Sequence, residues 1–257
     1  MFERTEYFIV DLDGTFYRLD EPIPGAADCL RRMQAVGKDF CFFSNNSSHS
    51  VGQICARLAR MGFPVPQEKV LLSSDVAAEY VLREYPGKTV FLLGNANLYE
   101  IFRQKGVPLV TDNPDIVMAG FDTDLTYARM CDACRFLADG AVFLATHADL
   151  NCSTPYGYMP DAGAIQAMLT ASTGRRPTVL GKPMQPTLDY LTQKLHCRPE
   201  ALCFIGDRLE TDIQIGADNG LPTVLVMSGV TDEAALQKSA IRPTLTLPAM
   251  GDLIAYL

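Results

Sequence analysis

The sequence predicts an α/β protein in which parallel sheets are covered by helices on both faces. Short apolar segments rich in Val, Ile, Leu and Phe alternate with amphipathic helical segments along almost the whole chain. The apolar segments are nearly continuous and do not alternate with polar residues. Such runs are typical of strands that are buried on both faces of a parallel sheet.

The first elements follow this alternation in order. Residues 7–13 (YFIVDLD) predict a strand, and residues 23–37 (IPGAADCLRRMQAVG) predict a helix that closes on a glycine. Residues 39–45 (DFCFFSN) predict the second strand. Residues 50–62 (SVGQICARLARMG) predict a second helix, which also ends at a glycine.

The rest of the chain repeats the pattern. Three short strands separated by amphipathic helices are predicted at residues 89–94 (TVFLLG), 115–120 (DIVMAG) and 141–146 (AVFLAT). The last third predicts a strand at 201–207, a helix at 211–220, a strand at 223–227 and then helices at the C-terminal end.

Two stretches rich in turn-forming or helix-breaking residues suggest domain limits. They are PGK at 86–88 and GRRPTVLGKP at 174–183. We therefore predict an inserted α/β domain at residues 80–178. The primary core is then discontinuous and consists of residues 1–79 and 179–257.

The composition limits the classes of function. The net charge of −8 argues against a nucleic-acid polymer as a partner, because phosphate backbones are held mainly by surplus Lys and Arg. No secretory signal is visible at the N-terminus, and every apolar run is too short to span a bilayer, so no membrane partner is expected. The eight scattered cysteines are typical of reduced thiols in a cytoplasmic protein.

Polar residues follow the apolar strands at four places. Ligands bind at the carboxyl ends of strands in open parallel sheets, so these clusters predict one shared site. The clusters are DLDGT with Asp11 and Asp13, FFSNN with Ser44, Asn45 and Asn46, LGKP with Lys182, and GDRLETD with Asp207 and Asp212.

Four carboxylates in one site raise each other's pKa unless a cation is present. A hard divalent ion with oxygen ligands resolves this repulsion, and Mg²⁺ is the usual ion beside a phosphate. Ser44 and Lys182 then supply a hydrogen bond and a positive charge for an anionic substrate group. Taken alone, D-x-D is most often a solvated surface pair, and S-N-N is most often a turn or a helix cap.

The four motifs together resemble the haloacid dehalogenase superfamily of phosphotransferases. That pattern is a first-strand D-x-D-G-T, a second-strand hydroxyl residue, a later Lys and an acidic G-D-x-x-x-T-D. DGTFY, NNSS, the spacing to GKP, and PTVLVMSGV look like the branch with a large α/β cap, which contains nitrophenyl, phosphoglycolate and pyridoxal phosphatases and NagD-type enzymes. The resemblance covers essentially the whole chain and implies a Rossmann-like, doubly wound core with an inserted cap.

The resemblance also implies roles. Asp11 would be the nucleophile that forms an aspartyl phosphate, and Asp13 would act as general acid and then as general base. Mg²⁺ would be held by the Asp11 carboxylate, the Asp13 backbone carbonyl and Asp207, with Asp212 behind them. Ser44 and Lys182 would stabilise the transferring phosphoryl group. Asn45 and its neighbour Asn46 would face the substrate.

The segment at 145–168 (ATHADLNCSTPYGYMPDAGAIQAM) matches the cap loop that contacts the leaving group in this branch. Its candidate substrate-binding residues are Asp149, Asn151, Tyr156, Tyr158 and Asp161. The alternative is that the prolines and glycines only shape a surface loop whose tyrosines pack locally. The branch usually has P-G-x-G where this chain has PDAG, so Asp161 is expected either to cap the following helix, to accept bonds from substrate hydroxyls, or to repel a second anion.

The resulting prediction is a Mg²⁺-dependent phosphatase acting on small phosphorylated metabolites. The acid at Asp13 favours ester hydrolysis over dehalogenation, because a halide leaves without protonation. A phosphotransferase or phosphomutase with the same nucleophile is the alternative enzyme, and a phosphometabolite-binding protein without catalysis is the alternative class. Relatives with this cap often dimerise, so a homodimer is a possible assembly.

Overall fold

The computed structural model describes residues 2–257, and its strands and helices confirm the predicted α/β class. The strands are β1 (Tyr7–Val10), β2 (Tyr17–Arg18), β3 (Glu21–Pro22), β4 (Asp39–Ser44), β5 (Val70–Leu72), β6 (Val90–Leu93), β7 (Ile116–Ala119), β8 (Val142–Ala145), β9 (Asn151–Thr154), β10 (Gly157–Pro160), β11 (Thr178–Val179), β12 (Leu202–Gly206), β13 (Thr223–Val226) and β14 (Leu245–Leu247).

The helices lie between these strands. They are α1 (Ala26–Ala35), α2 (Val51–Arg60), α3 (Ser73–Glu84), α4 (Ala96–Gln104), α5 (Tyr127–Ala138), α6 (Ala162–Thr173), α7 (Gln185–Leu195), α8 (Gln214–Asp218) and α9 (Glu233–Lys238). Short 3₁₀ turns occur at Gln67–Lys69, Pro199–Ala201 and Met250–Tyr256, and one π-helical turn occurs at Leu209–Ile213.

The chain divides into two compact units. The first contains the residues up to Ser44 together with Val51–Leu71 and Leu188–Leu257, and the second contains Asn45–Ser50 and Leu72–Thr187. The assignment of residues 1–79 and 179–257 to a catalytic core, and of residues 80–178 to a cap, stays a prediction.

The first unit is built on a six-stranded sheet with the order β14-β13-β12-β1-β4-β5. The pairs β14–β13, β13–β12, β12–β1 and β1–β4 are parallel. The chain adds β4 and β5 on one side of β1 and later adds β12, β13 and β14 on the other side. The strand order therefore reverses between β1 and β12, and such a reversal opens a crevice at the carboxyl ends of these two strands.

Helix α1 illustrates how the sequence specifies these elements. Its buried residues are Ala26, Cys29, Leu30 and Met33, which follow the i, i+3, i+4, i+7 spacing of one helix face. Leu30 is fully buried, and burial of such a side chain contributes about 1.5–3 kcal/mol. The helix ends before Gly37, whose φ of 78° is easily adopted only by glycine.

The second unit is built on a four-stranded parallel sheet with the order β11-β8-β7-β6. Its strands are as apolar as predicted, and Phe91, Phe143 and Leu169 belong to one buried cluster that α5 and α6 cover. Helix α5 carries Cys131 and Cys134 in a C-x-x-C spacing, which the helical periodicity of this segment predicts to be core packing. Cys134 packs against this cluster, but Cys131 is exposed, so core packing accounts for only one of the two.

Several strands were not expected from the sequence. The segment at 145–168, which was matched to a cap loop, contains an antiparallel hairpin of β9 and β10 closed by a two-residue turn. In β9 exposed and partly buried residues alternate, and in β10 every residue except Met159 is exposed, so the hairpin lacks the continuous apolar run by which the other strands were recognised. No helix among residues 2–257 is long and apolar enough to cross a membrane.

Candidate active site

Two acidic residues lie at the point where the strand order of the first unit reverses. Asp11 directly follows β1, and Asp207 directly follows β12. The two strands pair in register with Val10 opposite Ile205, and the Asp11 backbone N–H continues the ladder by donating to the Ile205 carbonyl at 2.9 Å. The two aspartates therefore leave the sheet side by side.

Asp11, Asp207 and Asp212 form a group of three carboxylates. One carboxylate oxygen from each residue lies within 4.8 Å of those of the other two. Asp207 and Asp212 are buried and Asp11 is half-buried, so solvent screens their mutual repulsion poorly. The side chain of Asp13 is not part of this group, and its predicted contribution through the backbone carbonyl stays a prediction.

The environment of the Asp207 carboxylate is typical of a side chain that binds a cation. Its Oδ2 accepts a hydrogen bond from the Val230 N–H at 2.6 Å, whereas its Oδ1 is buried without a hydrogen-bond partner among residues 2–257. Burial and the nearby Asp212 raise the pKa of the Asp207 carboxyl. A buried oxygen with no donor and an excess of negative charge fit a hard divalent cation, which takes oxygen ligands.

Two glycines make room for Asp207. The backbone of Gly14 has a φ of 85°, and a Cβ at this position would overlap the Asp207 carboxylate. A Cβ at Gly229 would overlap the same carboxylate. The glycine of the D-x-D-G-T motif is thus required here both by its backbone conformation and by the close approach of a carboxylate.

The π-helical turn at Leu209–Ile213 places Asp212. Leu209 and Ile213 are buried in one cluster with Leu225, so the ends of the turn are anchored in the core. Between them, the Thr211 hydroxyl donates to Asp212 Oδ2 at 3.1 Å. Single π-turns within helices occur frequently at functional sites, and this one turns an acidic side chain toward the sheet edge.

Ser44 and Asp13 extend the polar edge of this sheet. Ser44 is the last residue of β4, which lies next to β1, and its side chain is buried. Asp13 is exposed, and its Oδ2 accepts a hydrogen bond from the Tyr17 hydroxyl at 3.3 Å. Tyr17 was not among the residues selected from the sequence, since a tyrosine four residues after an aspartate has no pattern of its own.

In the second unit, Asn45 holds the loop that carries Lys182. Asn45 Oδ1 accepts from the Lys182 backbone N–H at 2.9 Å, and Asn45 Nδ2 donates to the Lys182 carbonyl at 3.1 Å. Asn45 Nδ2 also donates to Asp149 Oδ1 at 3.2 Å. Lys182 is 2% exposed. The Asn45 amide group thus donates to two acceptors within the protein, and a contact of Asn45 with substrate stays a prediction.

A buried histidine, His147, joins this network. The Nδ1 of His147 lies 3.6 Å from Asp149 Oδ2, and its Nε2 lies 3.5 Å from Asp161 Oδ1. The Ser47 hydroxyl is 3.3 Å from the same Nε2. Ser47 and Asp161 are distant from His147 in the chain, so only the folded second unit reveals the cluster.

Comparison with known proteins assigns the family. The family model of haloacid dehalogenase-like hydrolases matches residues 8–108, and a second HAD-hydrolase-like model matches residues 179–253. The chain belongs to the haloacid dehalogenase-like hydrolases. It lies in their NagD-like, nitrophenyl phosphatase branch and is a phosphoric monoester hydrolase.

Individual relatives cover nearly the whole chain. An acid sugar phosphatase from Staphylococcus saprophyticus is 30% identical over 97% of this chain and 97% of its own length. A 5'-nucleotidase from Bacillus subtilis is 28% identical over 97% of this chain and 98% of its own. The structure of a 4-nitrophenylphosphatase from Thermotoga maritima is 37% identical, covers 98% of this chain and 97% of its own, and superimposes with a TM-score of 0.94.

Asp161, where this haloacid dehalogenase-like chain departs from the usual P-G-x-G, caps α6. Its carboxylate accepts from the Ala162 N–H at 2.6 Å, and it is 4% exposed. Of the three roles considered from the sequence, the structure shows capping. An effect of Asp161 on substrate choice stays a prediction.

The other candidates of the second unit lie in less enclosed positions. Asn151, Tyr156 and Tyr158 belong to the β9–β10 hairpin and are exposed, with Tyr156 almost completely so. Asn46 Oδ1 accepts from the Ser48 and His49 N–H groups at 2.9 and 3.1 Å, as in a local turn. Substrate contacts by these four side chains stay predictions.

Proposed function

We propose that this phosphatase is Mg²⁺-dependent and hydrolyses small phosphomonoesters through an aspartyl phosphate on Asp11. The observation that carries the proposal is the group of three carboxylates at the strand reversal, with one Asp207 oxygen buried and unpaired within the described chain. Such a group is costly unless a ligand compensates its charge.

Asp11, Asp207 and Asp212 are the residues that would hold the ion. When bound, Mg²⁺ would neutralise the carboxylates and the negative charge of the phosphoryl group. Mg²⁺ is preferred over softer metals because oxygen is the only donor type in this group.

In the first half-reaction, a carboxylate oxygen of Asp11 attacks the phosphorus atom in line with the ester oxygen. A new P–O bond to Asp11 forms while the P–O bond to the leaving group breaks. Asp13 gives its carboxyl proton to the departing oxygen, so that an alcohol leaves. The exposed position of Asp13 in the loop after β1 supports this role, since the acid must reach the substrate.

In the second half-reaction, water attacks the phosphorus of the aspartyl phosphate. The Asp13 carboxylate accepts the proton of this water, and the P–O bond to Asp11 breaks. Inorganic phosphate leaves, and both aspartates return to their starting states. By the motif resemblance, we assign Ser44 as a hydrogen-bond donor and Lys182 as a positive charge for the phosphoryl oxygens.

The relatives suggest the class of substrate. They are named as phosphatases of sugar phosphates and nucleotides, so we propose a small phosphorylated metabolite with a hydroxylated leaving group. The exposed hairpin side chains are proposed to contact that leaving group, because they are polar or aromatic and lie in the segment that matches the cap loop. A homodimer stays a prediction, which size-exclusion chromatography with light scattering tests.

The test is phosphate release from a panel of sugar phosphates, nucleoside monophosphates, phosphoglycolate and pyridoxal phosphate, with Mg²⁺ and with EDTA. Metal-dependent release that Asp11→Asn abolishes supports the proposal. Phosphate transferred to an added alcohol in preference to water would instead indicate a phosphotransferase. If wild type binds panel members without turnover, the hydrolytic mechanism fails.

A further inference from the structure

The loop after β1 returns on itself and brings Tyr17 back beside Asp13. The Tyr17 N–H donates to the Leu12 carbonyl at 3.1 Å, and the Gly14 N–H donates to the Tyr17 carbonyl at 2.7 Å. The Tyr17 side chain is 2% exposed, although its hydroxyl lies next to the exposed Asp13. A buried ring therefore presents a polar group to the residue proposed as general acid.

The hydroxyl of Tyr17 lies between an acceptor and a donor. Its oxygen is 3.3 Å from Asp13 Oδ2 and 3.2 Å from Arg57 Nη1. A guanidinium can only donate, and a phenol has a single hydrogen. Arg57 therefore occupies a lone pair of the hydroxyl oxygen, and the phenol hydrogen points to Asp13. Burial and the Asp13 charge raise the pKa of Tyr17, so the phenol remains a donor.

Arg57 is itself held in place by three further contacts. Its guanidinium carbon lies 4.3 Å from the centroid of the Tyr17 ring, which is a cation–π arrangement. Its Nε donates to Asp20 Oδ1 at 3.3 Å, and its Nη2 donates to the Leu19 carbonyl. Every nitrogen of the guanidinium thus contacts the β2–β3 hairpin (residues 17–22), which leaves the Tyr17 ring and its hydroxyl little freedom.

We propose that Tyr17, held by Arg57, is a positioning residue that orients the Asp13 carboxyl for protonation of the leaving group. With Oδ2 accepting the phenol hydrogen, the transferable proton of Asp13 resides on Oδ1. That proton moves to the departing ester oxygen as the P–O bond breaks, and Tyr17 keeps its own hydrogen throughout. The inference rests on the role of Asp13 in the proposed function.

The test compares two leaving groups in Tyr17→Phe, which removes only the hydroxyl. Alkyl phosphates such as glycerol phosphate need a proton on the departing oxygen, whereas nitrophenolate leaves readily without one. General acid catalysis is typically worth about 10²–10⁴-fold, and loss of its orientation is expected to remove about tenfold of kcat/KM for the alkyl ester. The loss for 4-nitrophenyl phosphate is expected to stay within about twofold.

The chain offers a matched control in a second tyrosine–arginine pair. The Tyr99 hydroxyl donates to the Leu92 carbonyl at 2.8 Å and lies 3.4 Å from Arg129 Nη2, with the guanidinium 5.7 Å from the ring centroid. The acceptor here is a backbone oxygen instead of a carboxylate. Tyr99→Phe is expected to leave the ratio of the two kcat/KM values unchanged.

Asp13→Asn, measured in parallel, separates the general-acid role of Asp13 from the positioning role of Tyr17. If Asp13→Asn lowers kcat/KM equally for both substrates, the general-acid role fails, and the proposed mechanism fails with it. Suppose instead that Asp13→Asn lowers kcat/KM selectively for the alkyl ester, while Tyr17→Phe changes kcat/KM equally for both substrates or for neither. Then only the positioning role of Tyr17 is overturned. Should Tyr17→Phe not fold, Arg57→Lys decides: a selective loss of about threefold is expected, and an unchanged ratio overturns the inference.

Discussion

Each unit of the molecule buries a polar cluster, and the two clusters differ in how their charges are balanced. In the first unit, three carboxylates meet with one buried Asp207 oxygen unpaired among the described residues. In the second unit, Asn45 satisfies both backbone groups of Lys182 and reaches Asp149, which faces His147. The first cluster is an excess of like charge, whereas in the second the Asn45 amide is fully paired and, of these side chains, only His147 Nδ1 is buried without a hydrogen-bond partner within residues 2–257.

The difference indicates what each cluster is for. A buried hydrogen-bonded network fixes backbone geometry, because breaking it leaves polar groups without partners. A group of like charges destabilises the fold by itself and is retained where a ligand compensates it. Substitutions should therefore act mainly on chemistry and metal response in the first unit, and mainly on stability in the second.

The largest expected effect is that of Asp11→Asn. The amide is nearly isosteric but is a poor nucleophile, so turnover should fall by on the order of 10³-fold or more, with little change in the melting temperature. Phosphate release and thermal unfolding are measured on the same preparation. Substantial residual turnover would remove Asp11 from the nucleophilic role.

Asp207→Asn tests the charge imbalance directly. Removal of one of three like charges should raise the metal-free free energy of unfolding by about 1 kcal/mol. Wild type should gain about 2.7 kcal/mol at Mg²⁺ concentrations of about 100 Kd, and the variant should lose most of this gain. Melting temperatures are compared in EDTA and in Mg²⁺. A variant that responds to Mg²⁺ as wild type does would contradict the assigned ligand set.

Asn45→Ala tests the balanced cluster. It leaves the buried N–H and C=O of Lys182 without the Asn45 side chain, and each unsatisfied group costs about 1–3 kcal/mol. We expect the free energy of unfolding to fall by about 2–4 kcal/mol, as measured by denaturant unfolding. Asn46→Ala is the matched control, because Asn46 bonds within a less buried turn, and it should cost less than about 1 kcal/mol.

The smallest expected effect on stability is that of substitutions at Asp161. Two variants distinguish the role of its charge from its role as the N-cap of α6. Asp161→Gly should cost a few tenths of a kcal/mol through the weaker cap of α6, and Asp161→Asn should keep the cap. If the charge tunes selectivity, both variants should shift relative rates across the phosphomonoester panel by about two- to fivefold. Unchanged rate ratios in both would leave Asp161 with capping alone.

The elements that the sequence predicted correctly are those set by local pattern. β1, β4, β6, β7, β8, β12 and β13 are continuous apolar runs, and the faces of α1 and α5 follow helical spacing. The strands β2, β3, β5, β9, β10, β11 and β14 were missed. They have only two to four residues, and all of them except β5 include exposed or partly buried positions, so they leave little apolar pattern. Asp161 was recognised as a cap candidate because capping is also a local interaction.

By itself, the sequence determined which acids follow which strands, and hence that Asp11 and Asp207 stand at strand ends. Only the tertiary structure decided that β1 and β12 are neighbours, that a π-turn adds Asp212, and that the Tyr17 hydroxyl meets Asp13. The physical reason is the distance along the chain over which the deciding interactions act. Strand and helix patterns arise from neighbours in the chain, whereas strand order and the pairing of buried polar groups depend on residues that packing brings together from distant positions.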